Sequence, residues 1–81
     1  MLAQSAAQDR YAGQGVLKAV KPDKVLIAHE PIAELQWPEM TMWFALQAPL
    51  PGELRVGDQV RFEMEQTRSK EWAIHRIERK H

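Results

Sequence analysis

The chain has 81 residues, enough for one small domain, because so short a chain buries only a modest share of its surface on folding. Lysine and arginine number 11, as do aspartate and glutamate, so no net charge attracts the chain to nucleic acid or an anionic membrane. The absence of cysteine excludes disulfides and thiolate metal sites, and no apolar stretch approaches the roughly 20 residues of a membrane-spanning helix.

The first half of the chain predicts a tail followed by two strands. Residues 1–13 are small or polar and are expected to form a flexible tail or linker, which leaves 14–81 as the folded domain. A first strand is predicted over about 14–20, followed by a turn at 21–24 that contains Pro and Asp. The second strand is predicted over 24–29, where consecutive apolar residues are typical of a strand buried on both faces.

The second half predicts three more strands. Residues 31–36 are expected to form a loop or a single helical turn, and the third strand spans 40–46. Apolar and charged residues alternate over 60–65, which indicates a fourth strand with one buried face, and a turn at 67–70 leads to a fifth strand that begins at Trp72. Short strands at this spacing predict a small all-β barrel, in which closure removes exposed strand edges.

Within this pattern, several side chains have ordinary structural interpretations. Phe62 and Trp72 are most simply core aromatics, and Met64 is predicted to join them because it shares the face of its strand with Phe62. His75 lies among arginines and is expected on a solvated surface, and the terminal His81 is expected to be mobile.

The segment from His29 to Met42 carries the chemistry. It contains one imidazole, two thioethers and one indole within a short stretch. Thioether sulfur is a neutral, polarisable donor that binds hard ions poorly, so a Met and His site selects Cu(I) or Ag(I). Zinc, magnesium and calcium would find too few suitable ligands here. The segment therefore predicts a site for a soft monovalent cation.

The predicted strands bring these side chains within reach of one ion. Met40 and Met42 are two residues apart, so on a strand both project from one face, with Cα atoms roughly 7 Å apart. His29 ends a preceding strand, which can offer its imidazole from the side, and the electron-rich face of Trp37 can lie against the cation. Because a protonated imidazole cannot coordinate, affinity is expected to weaken in acid.

Each of these residues also has a plainer interpretation. A single methionine on a strand is usually core filler, and an isolated histidine is more often hydrogen-bonded than metal-bound. It is the combination with the spacing that reverses these odds for Met40, Met42 and His29. For Glu30 and Glu39 two interpretations remain open: solvated surface carboxylates, or groups that support His29 or attract the cation.

The pattern H-x7-W-P-E-M-T-M, from His29 to Met42, resembles the CusF and SilF family of periplasmic Cu(I)/Ag(I) metallochaperones. The resemblance extends from Val16 to the end and implies a five-stranded OB-type β-barrel. It also implies His29, Met40 and Met42 as ligands, with Trp37 as a cation–π cap. The implied role is transfer of the ion to or from a tripartite periplasmic efflux system, with its adaptor, inner-membrane pump or chaperone as partner.

Two features bear on which member of the family this is. CusF-like domains also occur at the C-terminus of SilB-type adaptor (membrane fusion) proteins, and the first ten residues lack the pattern of a secretory signal. We therefore expect either a processed chaperone or a module of a larger exported protein, monomeric in isolation. Trp43 replaces an expected basic residue and should face away from the metal, and its role in packing or in docking stays open.

Two other functional classes compete with metal binding. An OB-type module for single-stranded nucleic acid or oligosaccharide would use exposed aromatics beside a basic groove, but the charge balance argues against nucleic acid. The sequence gives little support for enzymatic activity, because Ser5 and Ser69 have no neighbouring histidine and no pair of acidic residues stands in a pattern typical of catalysis. The chain is therefore predicted to be a binding protein without catalytic activity.

Overall fold

The fold is a closed barrel of five β-strands. The computed structural model describes residues 10–80, and its strands are β1 (Arg10–Lys21), β2 (Lys24–His29), β3 (Met40–Leu46), β4 (Gln59–Gln66) and β5 (Trp72–Arg79). Around the barrel the order is β1, β2, β3, β5, β4, and β4 closes onto β1. Strands β3 and β5 run parallel, and the other neighbours run antiparallel. The predicted all-β, five-stranded OB-type barrel is confirmed.

The core fills the barrel with the inward-facing residues of all five strands. Because side chains alternate between faces, β2 contributes Val25 and Ile27, and β3 contributes Phe44, each with no exposed surface. Phe62 and Met64 lie on the inner face of β4 and are buried, as predicted. The predicted alternation therefore sets which residues face the core in most of the barrel.

The connections also follow the turn residues in the sequence. A 3₁₀ turn spans Ala33–Leu35 in the segment where one helical turn was expected, and it ends at Gln36, whose φ is +57°. Gly57 supplies a φ of +101° in the turn before β4, a conformation that side-chain-bearing residues rarely adopt. No helix within residues 10–80 is both long and apolar enough to cross a membrane.

The start of β1 corrects one expectation. Residues 10–13, assigned from the sequence to the tail, continue the strand and pair with β4, with Tyr11 opposite Met64 and Gly13 opposite Phe62. A Cβ at Gly13 would lie 2.7 Å from the Phe62 ring, so glycine here permits close packing and does not end the strand. The rest of the predicted tail, residues 1–9, lies outside the described residues, as does His81.

A β-bulge in β5 corrects a second expectation. Arg76 pairs with Glu63 and Ile74 pairs with Met64, so His75 has no partner on β4 and the alternation shifts by one residue. Ile77 is consequently buried and Arg76 exposed. His75 is half-buried, with its Nε2 3.3 Å from Glu63 Oε1, although the two are not aligned as a hydrogen bond. The solvated position expected for His75 is therefore wrong.

Candidate metal centre

The register between β2 and β3 brings the predicted donors together. His29 pairs with Met40, and Ile27 pairs with Met42, so all four side chains project from the same face. Directly opposed Cβ atoms in such a pair are about 4.5–5.5 Å apart, and diagonal neighbours about 7–8 Å. His29 is thus opposite one methionine and diagonal to the other, at the end of the barrel where β2 ends and β3 begins.

His29 is buried in a form suited to binding a cation. Its side chain has no exposed surface, and Nδ1 lies 2.8 Å from the carbonyl oxygen of Glu30. A carbonyl can only accept, so Nδ1 carries the proton and donates it, which leaves the lone pair on Nε2. Nε2 is buried and has no hydrogen-bond partner in residues 10–80. A protonated nitrogen held by a carbonyl, with the other nitrogen free, is the usual arrangement of a metal-binding histidine.

Trp37 is held beside this histidine by the loop between β2 and β3. The loop closes with reciprocal backbone hydrogen bonds between Ile32 and Trp37, at N–O distances of 3.0 and 3.1 Å. The Trp37 ring centroid lies 5.6 Å from that of His29, with an interplanar angle of 34°. The indole therefore lies next to the imidazole, and its role as a cap stays a prediction.

Other aromatic rings, which the sequence did not assign to the site, pack around it. Trp72 packs edge-to-face against Trp37 with centroids 5.1 Å apart and an angle of 83°, and Tyr11 packs similarly against Trp72 at 5.8 Å. Phe44 lies 6.0 Å from the His29 ring. Strand alternation could have found Phe44, which shares the face of Met42, whereas the contact of Trp72 depends on how the barrel closes.

The two methionines differ in their access to solvent. Met40 is 40% exposed at the first position of β3, whereas Met42 is half-buried and packs against the core. The candidate centre therefore has a protected side formed by His29, Met42 and the aromatic rings, and an open side at Met40. A ligand from solvent would reach an ion in this centre most easily from the Met40 side.

The nearby carboxylates do not take part in the donor set. The Glu30 carboxylate accepts a hydrogen bond from Gln14 Nε2 at 2.9 Å, and only the backbone oxygen of Glu30 contacts His29. Glu39 is exposed. Within residues 10–80, no group of three or more His, Cys, Asp or Glu side chains is placed so that it could hold a metal ion. The predicted donors are thus neutral sulfur and nitrogen atoms, which favour soft ions over hard ones.

Trp43 lies on the face of β3 opposite to Met40 and Met42, as predicted. It pairs with Leu26 and is 42% exposed. The ammonium groups of Lys21 and Lys24 lie 5.1 and 5.9 Å from the centroid of its ring. This tryptophan therefore belongs to the outer surface of the barrel and has no place among the predicted metal ligands.

Solved structures of CusF and of a SilB domain are similar to this barrel. The structure resembles apo-CusF from Escherichia coli with a TM-score of 0.83 and 32% identity, covering 100% of both chains. It resembles Ag(I)-bound CusF from the same organism with a TM-score of 0.78 and 31% identity, over 89% of this chain and 92% of the other. The C-terminal domain of SilB from Cupriavidus metallidurans gives a TM-score of 0.80 and 29% identity, with 89% of each chain covered.

Sequence comparison gives the same relationship. The cation efflux system protein CusF of Escherichia coli O6:H1 is 43% identical over 51 residues, which cover 59% of this chain and 46% of the relative. The chain thus spans about half the length of the curated relatives it matches. A family model described as copper binding periplasmic protein CusF matches residues 10–79, nearly all of the described barrel. The chain therefore belongs to the CusF family.

Proposed function

We propose that this domain binds Cu(I) or Ag(I) as cargo, through His29 Nε2 and the thioethers of Met40 and Met42, with the face of Trp37 capping the ion. The observation that carries the proposal is the buried Nε2, which keeps a lone pair and has no hydrogen-bond partner in the described residues. Leaving a buried polar atom unpaired costs about 1–3 kcal/mol, and a coordinated cation removes that cost. The other donors that we propose are the thioethers of the two methionines, which favour a soft ion.

The comparisons support the same class of cargo. The family is described as copper binding and periplasmic, and a structure of CusF from Escherichia coli holds Ag(I). All the proposed donors are neutral, so the loaded site keeps a single positive charge. The electron-rich indole face of Trp37 can stabilise this single charge. A divalent ion would need more donors than this site offers. Cu(I) and Ag(I) are therefore proposed in preference to zinc.

The proposed mechanism is ligand exchange without a chemical reaction. In the tautomer that the Glu30 carbonyl selects, the lone pair of His29 is on Nε2, where the ion would bind. Trp37 excludes water from one side. Met40, the most exposed donor, would detach first and let an incoming sulfur ligand replace the ligands one at a time. The domain is thus a carrier with no enzymatic step.

The proposed setting is a periplasmic efflux system for copper or silver. The curated relatives are cation efflux system proteins, and the SilB domain shows that the same fold occurs as part of a larger protein. We propose the adaptor, pump or chaperone of such a system as the source or acceptor of the ion. We also propose that the barrel acts as a monomeric unit, either freestanding or fused to an adaptor.

The experiment that tests the ligand set replaces both methionines by leucine. Met40→Leu with Met42→Leu conserves volume and should keep the fold, while it removes both sulfur donors. Affinity for Ag(I), measured by titration calorimetry, should fall by at least about a hundredfold, because the loss of each donor is expected to weaken binding by tenfold or more.

Met64→Leu is the matched control, because it removes a thioether that is buried in the core and is not among the proposed ligands. This variant should bind Ag(I) like the parent. If the double variant keeps the affinity of the parent, or if Met64→Leu loses it equally, the proposed ligands are wrong.

A further inference from the structure

Strand β3 extends past the start of its neighbour β5. It pairs with β2 from its first residue, but with β5 only at its last two residues. The two strands run parallel with Ala45 opposite Ala73, so Trp72, the first residue of β5, is level with Phe44. Residues 40–43 therefore have a neighbouring strand on one side only. We refer to the other side of these four residues as the free edge of β3.

The free edge presents backbone donors and acceptors. In an antiparallel ladder, residues that bond to the neighbouring strand alternate with residues whose N–H and C=O groups point away from it. The N–H of Leu46 donates to the turn before β2, and that of Gln47 donates to Ile74 of β5, both at 2.9 Å. By this alternation, the N–H and C=O groups of Thr41 and Trp43 point away from β2, and no residue in 10–80 pairs with them there.

The free edge lacks the residues that usually protect a strand edge. Proteins block exposed edges with charged side chains, proline or bulges. The part of β1 that extends past β4, residues 18–21, follows this rule and carries Lys18 and Lys21. Residues 40–43 contain no charged residue and no proline, and Met40, Thr41 and Trp43 are exposed. The sequence therefore leaves this edge open to a further strand.

A groove of about 380 Å³ adjoins the free edge. Met42 and Trp43 line it on β3, and Glu71 and Trp72 line it at the start of β5. Met42 is a proposed ligand, and Trp72 packs against the proposed cap, Trp37. The groove thus gives a segment that pairs with the free edge room beside the candidate metal centre.

The groove does not select a partner by the sign of its charge. Asp23 and Glu71 are acidic, whereas Lys24 is basic, and all three line it. Selection at the free edge comes instead from the backbone, because an extended chain presents complementary N–H and C=O groups at the same spacing. The free edge therefore fits an extended segment that adds a strand to β3.

The alternation of side chains decides what such a segment places near the ion. Partner residues level with Met40 and Met42 project on the same face as these methionines. Directly opposed Cβ atoms of adjacent strands are about 4.5–5.5 Å apart, so a methionine level with Met42 could bring its sulfur to the same ion. Exchange between thioethers keeps a soft ion among the donors that it prefers.

We propose that the free edge of β3 docks an extended segment of the protein that gives or receives the ion. The segment pairs with the backbone of Thr41 and Trp43 and places a methionine level with Met42. The pairing itself does not need the metal, whereas the role of the partner's methionine rests on the proposed function. Docking at this edge brings the exchanging sulfur to the strand that carries both proposed sulfur ligands.

Amide hydrogen exchange in the metal-free domain tests the pairing. The probe is a nine-residue peptide that alternates threonine and methionine and has blocked ends. Without peptide, the amides of Met42 and Phe44 should be protected by β2, and those of Thr41 and Trp43 should exchange fast. Saturating peptide should slow exchange at Thr41 and Trp43 by about tenfold or more. Unchanged exchange at these two amides would overturn the proposal.

Two methylated peptides are the matched controls. One is N-methylated at its threonines and the other at its methionines, so each has lost the N–H groups of one side of the strand. In antiparallel pairing the threonine N–H groups face β3, and in parallel pairing the methionine N–H groups do. One peptide should therefore bind at least about tenfold more weakly than the other. Equal affinity of the two peptides would exclude strand addition.

A variant of the domain tests the same edge from the other partner. Thr41→Pro removes an N–H group that points away from β2, a position where a strand tolerates proline. It should abolish protection of Trp43 by the peptide, whereas Thr41→Val, which keeps the N–H group, should retain it. Circular dichroism checks the fold, and the methylated peptides carry the test if the proline variant unfolds. Protection that survives in a folded Thr41→Pro would contradict the pairing.

The Ag(I)-loaded domain tests the role of the partner's methionine. A peptide that alternates threonine and leucine should protect the same amides but take no Ag(I) from the domain, whereas the methionine peptide should take it. Pairing without any transfer of Ag(I) to the methionine peptide would refute this role. Retained Ag(I) affinity in the Met40→Leu, Met42→Leu variant would refute the proposed function and leave the pairing result standing.

A second copy of the domain is the competing occupant of the free edge. Sedimentation of the domain without peptide distinguishes it, because the proposal expects a monomer at all concentrations used. A dimer in which the amides of Thr41 and Trp43 become protected would assign the edge to self-association and overturn the proposal.

Discussion

The chemistry of the candidate centre depends on how one histidine is held. His29 is completely buried, and the Glu30 carbonyl selects the tautomer whose lone pair is on Nε2. Without a partner, that buried nitrogen costs about 1–3 kcal/mol, which the empty domain has to offset by packing elsewhere. The rings of Phe44 and Trp37 also lie close to the imidazole and restrict its orientation. The proposed donor is therefore already oriented in the metal-free domain, which would reduce the entropic cost of binding an ion.

The indole that we propose as the cap needs support because Trp37 is in a loop and not in a strand. We predict that Trp72→Leu leaves the fold intact but loosens Trp37, because it removes an edge-to-face contact worth about 0.5–1.5 kcal/mol. Release of Ag(I) to a competing thiol should become faster, by up to about tenfold, in stopped-flow measurements. The indole N–H resonance of Trp37 should shift or broaden in the metal-free protein.

Trp72→Phe is the control for this prediction, since it keeps an aromatic ring in contact with Trp37 and should restore most of the parent behaviour. A purely structural role would change stability without affecting the Trp37 resonance. If both the release rate and that resonance are unchanged in Trp72→Leu, Trp72 does not position the cap.

The proposed ligands were predictable from sequence because they are close together in it. His29, Trp37, Met40 and Met42 lie in one short segment, where strand alternation and spacing relate them directly. Trp72 comes from the other side of the barrel, and its contact with Trp37 exists because the chain brings β5 beside β3. No local pattern encodes such a contact, so its supporting role required the structure.

At the level of strands, the position of β2 against β1 decides where His29 lies. Gly15 pairs with His29, and a Cβ at Gly15 would lie 2.6 Å from the His29 Cα and would also overlap the Ala28 carbonyl. Because both neighbours belong to the backbone, no rotamer change can relieve the overlap. We predict that Gly15→Ala destabilises the fold by about 1–3 kcal/mol in denaturant unfolding and weakens Ag(I) binding by moving β2.

Gly52→Ala is the comparison, because a Cβ there meets no atom within 4 Å. It should leave stability within about 0.5 kcal/mol of the parent, as surface substitutions usually do. Equal stability of the two alanine variants would show that β1 and β2 can separate without cost, and would contradict this account of Gly15.

The strands themselves were largely predictable, and the exceptions have physical reasons. Strands β2 and β3 were predicted with their observed bounds, because apolar runs and turn residues delimit them. The early start of β1 was missed, since its small and polar residues are ordered by pairing with β4. The bulge at His75 was missed because it depends on register between two strands, which alternation in one strand does not reveal.

At the scale of the whole molecule, the site joins parts of the barrel that are far apart in the chain. The proposed ligands come from β2 and β3, the cap comes from the loop between them, and Trp72 of β5 packs on the cap. An ion held by these groups therefore cross-links elements that must separate when the barrel unfolds. Binding to the folded state alone raises the free energy of unfolding in proportion to the logarithm of the free ion concentration over Kd.

We predict that Ag(I) at about a hundredfold above its Kd raises the free energy of unfolding by about 2.7 kcal/mol. For a domain of this size that corresponds to an increase in Tm of about 10–20 °C, measurable by circular dichroism. Amide exchange should slow most in β2 and β3, which carry the proposed ligands. The Met40→Leu, Met42→Leu variant should melt at nearly the same temperature with and without Ag(I). Equal stabilisation of parent and variant would mean that the ion binds elsewhere, since only coordination at this site links the metal to the β2–β3 pair.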